Sequence, residues 1–98
     1  MFTPLRPVDP ELAYAVPFVV ERARTPVFEL LNTSEEPARA VMLSLIGDGR
    51  LVSGMPTTLE PGARLSFALH GDDVARGSVV IVRWFRTDGC EYLWRIAF

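Results

Sequence analysis

Turn chemistry interrupts this chain about every ten residues, and that spacing leaves room for short strands and little else. The runs LAYAVPFVVER (12–22), PVFELLN (26–32), AVMLSLI (40–46), LVSG (51–54), TTL (57–59) and RLSFALH (64–70) are rich in β-branched, aliphatic and aromatic residues. So are both arms of VVIVRWFRTDGCEYLWRIAF (79–98). Between them stand TSEEPAR, Gly47-Asp48-Gly49, Pro61-Gly62, GDDVARG and Asp88-Gly89, all turn or loop formers. Only LAYAVPFVVERAR and GDDVAR have any helical character, and Pro17 with the β-branched pair Val19-Val20 opposes it in the first. About seven short strands without intervening helices predict an all-β antiparallel sandwich or barrel.

Two turns and one proline set expectations of strand layout. Asp48-Gly49 as a two-residue type I′ loop pairs Ile46 with Leu51 and Leu45 with Val52. Pro61-Gly62 suits the centre of a type II turn leading into RLSFALH, where Leu65, Phe67 and Leu69 alternate with Ser66, Ala68 and His70. Pro17 marks the first run as an edge or bulged strand.

The chain divides into a Pro-rich arm, residues 1–11, and a single domain, residues 12–98. Pro4, Pro7 and Pro10 keep the arm extended, as a tether or as a PxxP ligand for a partner groove. Ninety-eight residues suffice for one core without metal or disulfide staples. A formal charge of −2 supplies no phosphate-neutralising patch, so nucleic acid is not expected as a partner. All ten basic residues are arginine, the coding bias of a GC-rich genome. Cys90 is the single cysteine and no secretory leader opens the chain, which point to the cytoplasm. No apolar run approaches the ~18 residues of a membrane span.

The stretch from Phe28 to Phe98, with LLNTSEEPARAVMLSLIGDG, TTLEPGARLSFAL and VVIVRWF, resembles bacterial immunoglobulin-like sandwich domains. In those domains a strand ending in Asn or Ser precedes a polar loop and an apolar strand, and a Leu-x-Pro-Gly turn introduces a later one. The resemblance implies an immunoglobulin-like β-sandwich of about seven strands that binds or scaffolds rather than catalyses. The antibody-type cysteine pair and a clear tyrosine corner are missing.

The closing segment decides where a partner is expected. With Asp88-Gly89 as a two-residue loop, Thr87 faces Cys90, Phe85 faces Tyr92 and Arg83 faces Trp94. One face then carries Val79, Ile81, Phe85, Tyr92, Trp94, Ile96 and Phe98, with Arg83 over the Trp94 indole. Each such side chain gains roughly 1.5–3 kcal/mol on burial, so this is the expected core side. The other face carries Val80, Val82, Trp84, Leu93 and Ala97 among Arg86, Glu91 and Arg95. A tryptophan in an apolar centre with a charged rim has the composition of a recognition surface. Trp84, Leu93 and Val82 with Arg86 and Arg95 are therefore the expected partner-binding residues, for a second copy of the chain or another protein. The alternative is intramolecular, with the N-terminal arm or the first strand covering Trp84.

Other chemistry finds little purchase. His70, Asp72 and Asp73 crowd one loop but lack the convergent shell of a metal site, and no cofactor is expected. Cys90 and His70 are the residues an enzyme would use, yet no helix N-terminus activates the thiol. GDG at 47–49 lacks the frame of a phosphate loop. A carbohydrate or small-ligand platform from Trp84, Trp94 and Tyr92 is disfavoured because the expected register puts Trp84 on the opposite face.

Overall fold

The computed structural model describes residues 15–47, 49–71 and 77–98. Eight strands follow one another: β1 (Phe18–Arg24), β2 (Val27–Asn32), β3 (Ala38–Ile46), β4 (Arg50–Ser53), β5 (Thr57–Leu59), β6 (Arg64–His70), β7 (Val79–Phe85) and β8 (Glu91–Ala97). They form two four-stranded antiparallel sheets, β1-β2-β6-β4 and β5-β3-β7-β8, one strand more than expected. The N-terminal arm, Asp48 and the Asp72–Arg76 segment lie outside the described residues.

Alternation places the core between the sheets. Phe18, Phe28, Leu30, Phe67 and Leu69 come from one sheet and Val41, Val80, Val82, Trp84 and Ile96 from the other, all buried in one cluster. Trp84 is its largest member and only 1% exposed. Phe18 meets it edge-on at 4.9 Å between ring centres, and Tyr92 stacks on it at 6.1 Å.

Pro17 sits just before β1, and β1 is indeed an edge strand with an irregular register between Glu21 and Arg24. Around Pro61 the expected turn forms: Gly62 takes a φ of 79° and the Ala63 N–H donates to the Glu60 carbonyl at 2.9 Å. In β6, Phe67 and Leu69 are buried, Leu65 is half-buried, and Ser66 and His70 face solvent, as the alternation predicts.

The expected hairpin between Ile46 and Leu51 does not form. Both flanks of β3 are occupied, one by β5 and the other by β7, so β4 crosses to the opposite sheet and pairs with β6 through Leu51↔Leu69 and Val52↔Ala68. Gly47 and Gly49 make that crossing, with φ of 110° and 111°. A Cβ on Gly47 would collide with the Gly77 carbonyl oxygen.

Two local features shape the sheets. Ala40, at a φ of 50°, forms a bulge that shifts the register between Arg39 and Met42, so Ala38 and Val41 both point inward although three residues apart. Asn32 is fully buried at the end of β2. Its Nδ2 donates to the Glu36 and Leu59 carbonyls, each at 2.9 Å, and its Oδ1 accepts from the Ser34 N–H at 2.9 Å and hydroxyl at 2.8 Å. One side chain thus ties β2 to the following loop and to β5 of the opposite sheet.

Candidate partner-binding surface

The β7–β8 turn sets which residues face outward. It is a three-residue loop, Thr87-Asp88-Gly89, not the two-residue loop expected. The Gly89 N–H donates to the Arg86 carbonyl and the Arg86 N–H to the Cys90 carbonyl, both at 2.9 Å. Gly89 alone takes positive φ, at 86°, while Asp88 accepts the Cys90 N–H on Oδ1 at 2.9 Å. This is a type I turn closed by a left-handed glycine, the commonest three-residue hairpin connection.

The extra loop residue moves the pairing by one. Phe85 faces Glu91, Trp84 faces Tyr92, Arg83 faces Leu93, Val82 faces Trp94 and Ile81 faces Arg95. A one-residue slip exchanges the two faces of a strand, and here it exchanges those of β7. The expected exposure of Trp84 and Val82 is therefore corrected: both are core residues, on the same side as Trp94, Ile96 and Phe98. The expected core residues Val79, Ile81 and Phe85 are corrected the other way and lie on the outer face. The pairing of Arg83 with Trp94 is replaced by Arg83 with Leu93.

Of the expected binding residues, Leu93 and Arg95 do stand on the outer face. Arg86 does not join them. Its guanidinium grips Glu36 with two hydrogen bonds, Nη2 to Oε1 at 2.8 Å and Nε to Oε2 at 3.0 Å, and lies over the Tyr92 ring. The hydrogen bond from Arg86 holds the Glu36 carboxyl below its ordinary pKa, against the opposing effect of burial.

The outer face of the β5-β3-β7-β8 sheet can be written as rows across β3, β7 and β8: Arg39–Phe85–Glu91, Met42–Arg83–Leu93, Ser44–Ile81–Arg95 and Ile46–Val79–Ala97. Ile46 is 55% exposed, Leu93 47%, Met42 45% and Phe85 37%. The one ion pair on this face is Arg83 with Glu91, at 2.8 Å, among the described residues. Arg95 has no ion-pair or hydrogen-bond partner among them. Met42 and Ile46 escape sequence reasoning because β3 looked like half of a hairpin with β4, and a strand in that position would have had other neighbours.

Cys90 is buried just before β8, whereas His70 closes β6 beside Gly71, at the end of the sandwich where Phe98 lies. Seven strand residues at about 3.3 Å each separate those ends, so the two are not brought together. Asp72 and Asp73 lie outside the described residues. Trp84, Trp94 and Tyr92 share a side after all, but it is the inward one. No described helix is long and apolar enough to cross a membrane. No family model matches the chain, and neither does any curated protein or solved structure.

Proposed function

We propose that this chain is a non-catalytic protein–protein interaction module on an immunoglobulin-like sandwich, associating with a second copy of itself through the sheet that carries β7 and β8. The observation that carries this is the outer face of that sheet, which presents exposed Met42, Ile46, Phe85 and Leu93 and half-buried Val79 and Ile81 around the Arg83–Glu91 ion pair. Apolar area of this kind, spread over three strands and interspersed with charge, suits contact with another protein. Strand order supports the immunoglobulin-like assignment. The sheet β1-β2-β6-β4 facing β3-β7-β8 follows the A-B-E-D and C-F-G order of constant-type domains, with β5 as an added strand beside β3. A buried, unpaired Cys90 fits a soluble bacterial protein of the reducing cytoplasm.

Light scattering across a concentration series tests the proposal. The mass should climb above the 10.9 kDa of one chain as concentration rises. A mass that stays at 10.9 kDa throughout overturns self-association.

A further inference from the structure

Edge strands expose unpaired backbone donors and acceptors, and proteins blunt them by shortness, bulges, proline or a covering segment. Among the described residues the fold has four such edges. β5 has three residues and β4 four, and β1 is interrupted between Glu21 and Arg24. The fourth, β8, runs seven residues with unbroken register and no proline, and among the described residues nothing pairs with its outer side.

The turn bonds say which of its peptide groups are free. The Cys90 carbonyl accepts from the Arg86 N–H, and the Phe98 N–H donates to the Ser78 carbonyl at 3.2 Å. Even-numbered residues of β8 therefore bond inward to β7, and the odd-numbered Glu91, Leu93, Arg95 and Ala97 direct N–H and C=O outward. Ala97 is already engaged, its carbonyl accepting from Nη1 and Nη2 of Arg22, each at 3.4 Å. The free stretch is thus Glu91 to Arg95, and its midpoint is Leu93.

That stretch reads Glu-Tyr-Leu-Trp-Arg, which is complementary to itself when reversed. We propose that two copies join β8 to β8 in antiparallel about a two-fold axis at Leu93, merging their four-stranded sheets into one. Leu93 then lies against its symmetry mate on the outer face. Glu91 lies opposite Arg95 of the second copy, twice over by symmetry, giving Arg95 the partner it lacks. On the inner side Tyr92 meets Trp94 of the second copy in a non-hydrogen-bonded pair, where side chains come closest. Such an isologous contact closes on itself and stops at two chains.

The proposal rests on the self-association reading above but places the contact at the β8 edge rather than across the apolar outer face, so the test separates the two. Arg95→Glu and Glu91→Arg are made in the full chain, each checked for a cooperative melt, and their association is followed by light scattering alone and mixed. Each variant by itself sets like charges opposite one another at both ends of the contact. Its dissociation constant should rise at least about tenfold over wild type. Mixed in equal amounts, the two give Arg–Glu at both ends, and dimer should return to within about threefold of wild type. Because Arg95 has no intramolecular partner among the described residues, Arg95→Glu should keep its fold even if Glu91→Arg, which breaks the pair with Arg83, does not. Wild type that associates while Arg95→Glu associates equally well overturns the β8 contact and leaves self-association standing. Loss in both variants without recovery on mixing overturns the register at Leu93. A strictly monomeric wild type overturns both proposals.

Discussion

Replacing Asn32 with alanine removes the amide that joins β2, the 33–37 loop and β5. Four side-chain hydrogen bonds go with it, two donated by Nδ2 and two accepted by Oδ1. A net hydrogen bond contributes about 1 kcal/mol, and the Leu59 carbonyl loses a donor in the interior, a loss that relaxation and entering water offset only in part. The expected destabilisation is about 3–4 kcal/mol, a large share of the ~5–15 kcal/mol available to a small domain. Urea unfolding followed by tryptophan fluorescence measures it, with Ser34→Ala as a partial counterpart expected to lose about 1 kcal/mol. Asn32→Asp sharpens the test. It is nearly isosteric and keeps an acceptor toward Ser34, but turns an oxygen toward two carbonyl oxygens, so it should be at least as damaging as alanine. An alanine variant within about 1 kcal/mol of wild type, or a well-tolerated aspartate, would refute the bridging role.

Further outcomes follow from the same geometry. Trp84→Ala empties the centre of the core and should cost about 3–5 kcal/mol, read as a collapse of the urea midpoint; a variant with native stability and altered oligomeric state would return Trp84 to the surface. Ala40→Gly relieves a side chain held at a φ of 50° and should raise stability by about 0.5–1 kcal/mol in the same assay, a loss arguing against the bulge. Glu36 has its folded pKa depressed below the ordinary 4.5, chiefly by the hydrogen bond from Arg86. The pair's contribution is therefore present above 4.5 and lost as pH falls through the folded value. Wild type should exceed Glu36→Gln in stability at about pH 7, and the gap should narrow as pH falls below 4.5; a constant gap would contradict the pairing.

Much of the architecture is written in local chemistry. The strict alternation of RLSFALH gives β6 its faces, Pro61-Gly62 gives its turn, and Pro17 marks β1 as an edge. What local chemistry leaves open is parity and partition. Asp-Gly serves equally as a two-residue loop or as the end of a three-residue one, and β7 and β8 offer no check, since Val79 to Val82 and Tyr92 to Trp94 are apolar on both faces. The two-residue reading carries Trp84 outward and Phe85 inward, while Leu93 and Arg95 keep their places because the expected and observed faces of β8 coincide. The crossing of β4 to the other sheet depends on β3 already having β5 and β7 beside it, which no dipeptide at Gly47–Gly49 reveals. Nothing about an alanine announces a left-handed bulge at position 40.

Amide hydrogen exchange measured residue by residue at several protein concentrations tests the β8 contact most directly. The N–H groups of Tyr92, Trp94 and Ile96 bond to β7 and should be protected at every concentration, whereas those of Leu93 and Arg95 should exchange quickly when dilute and slow markedly as dimer forms. Exchange at Leu93 and Arg95 that is fast and indifferent to concentration, in a chain whose mass nonetheless rises, would place the contact elsewhere.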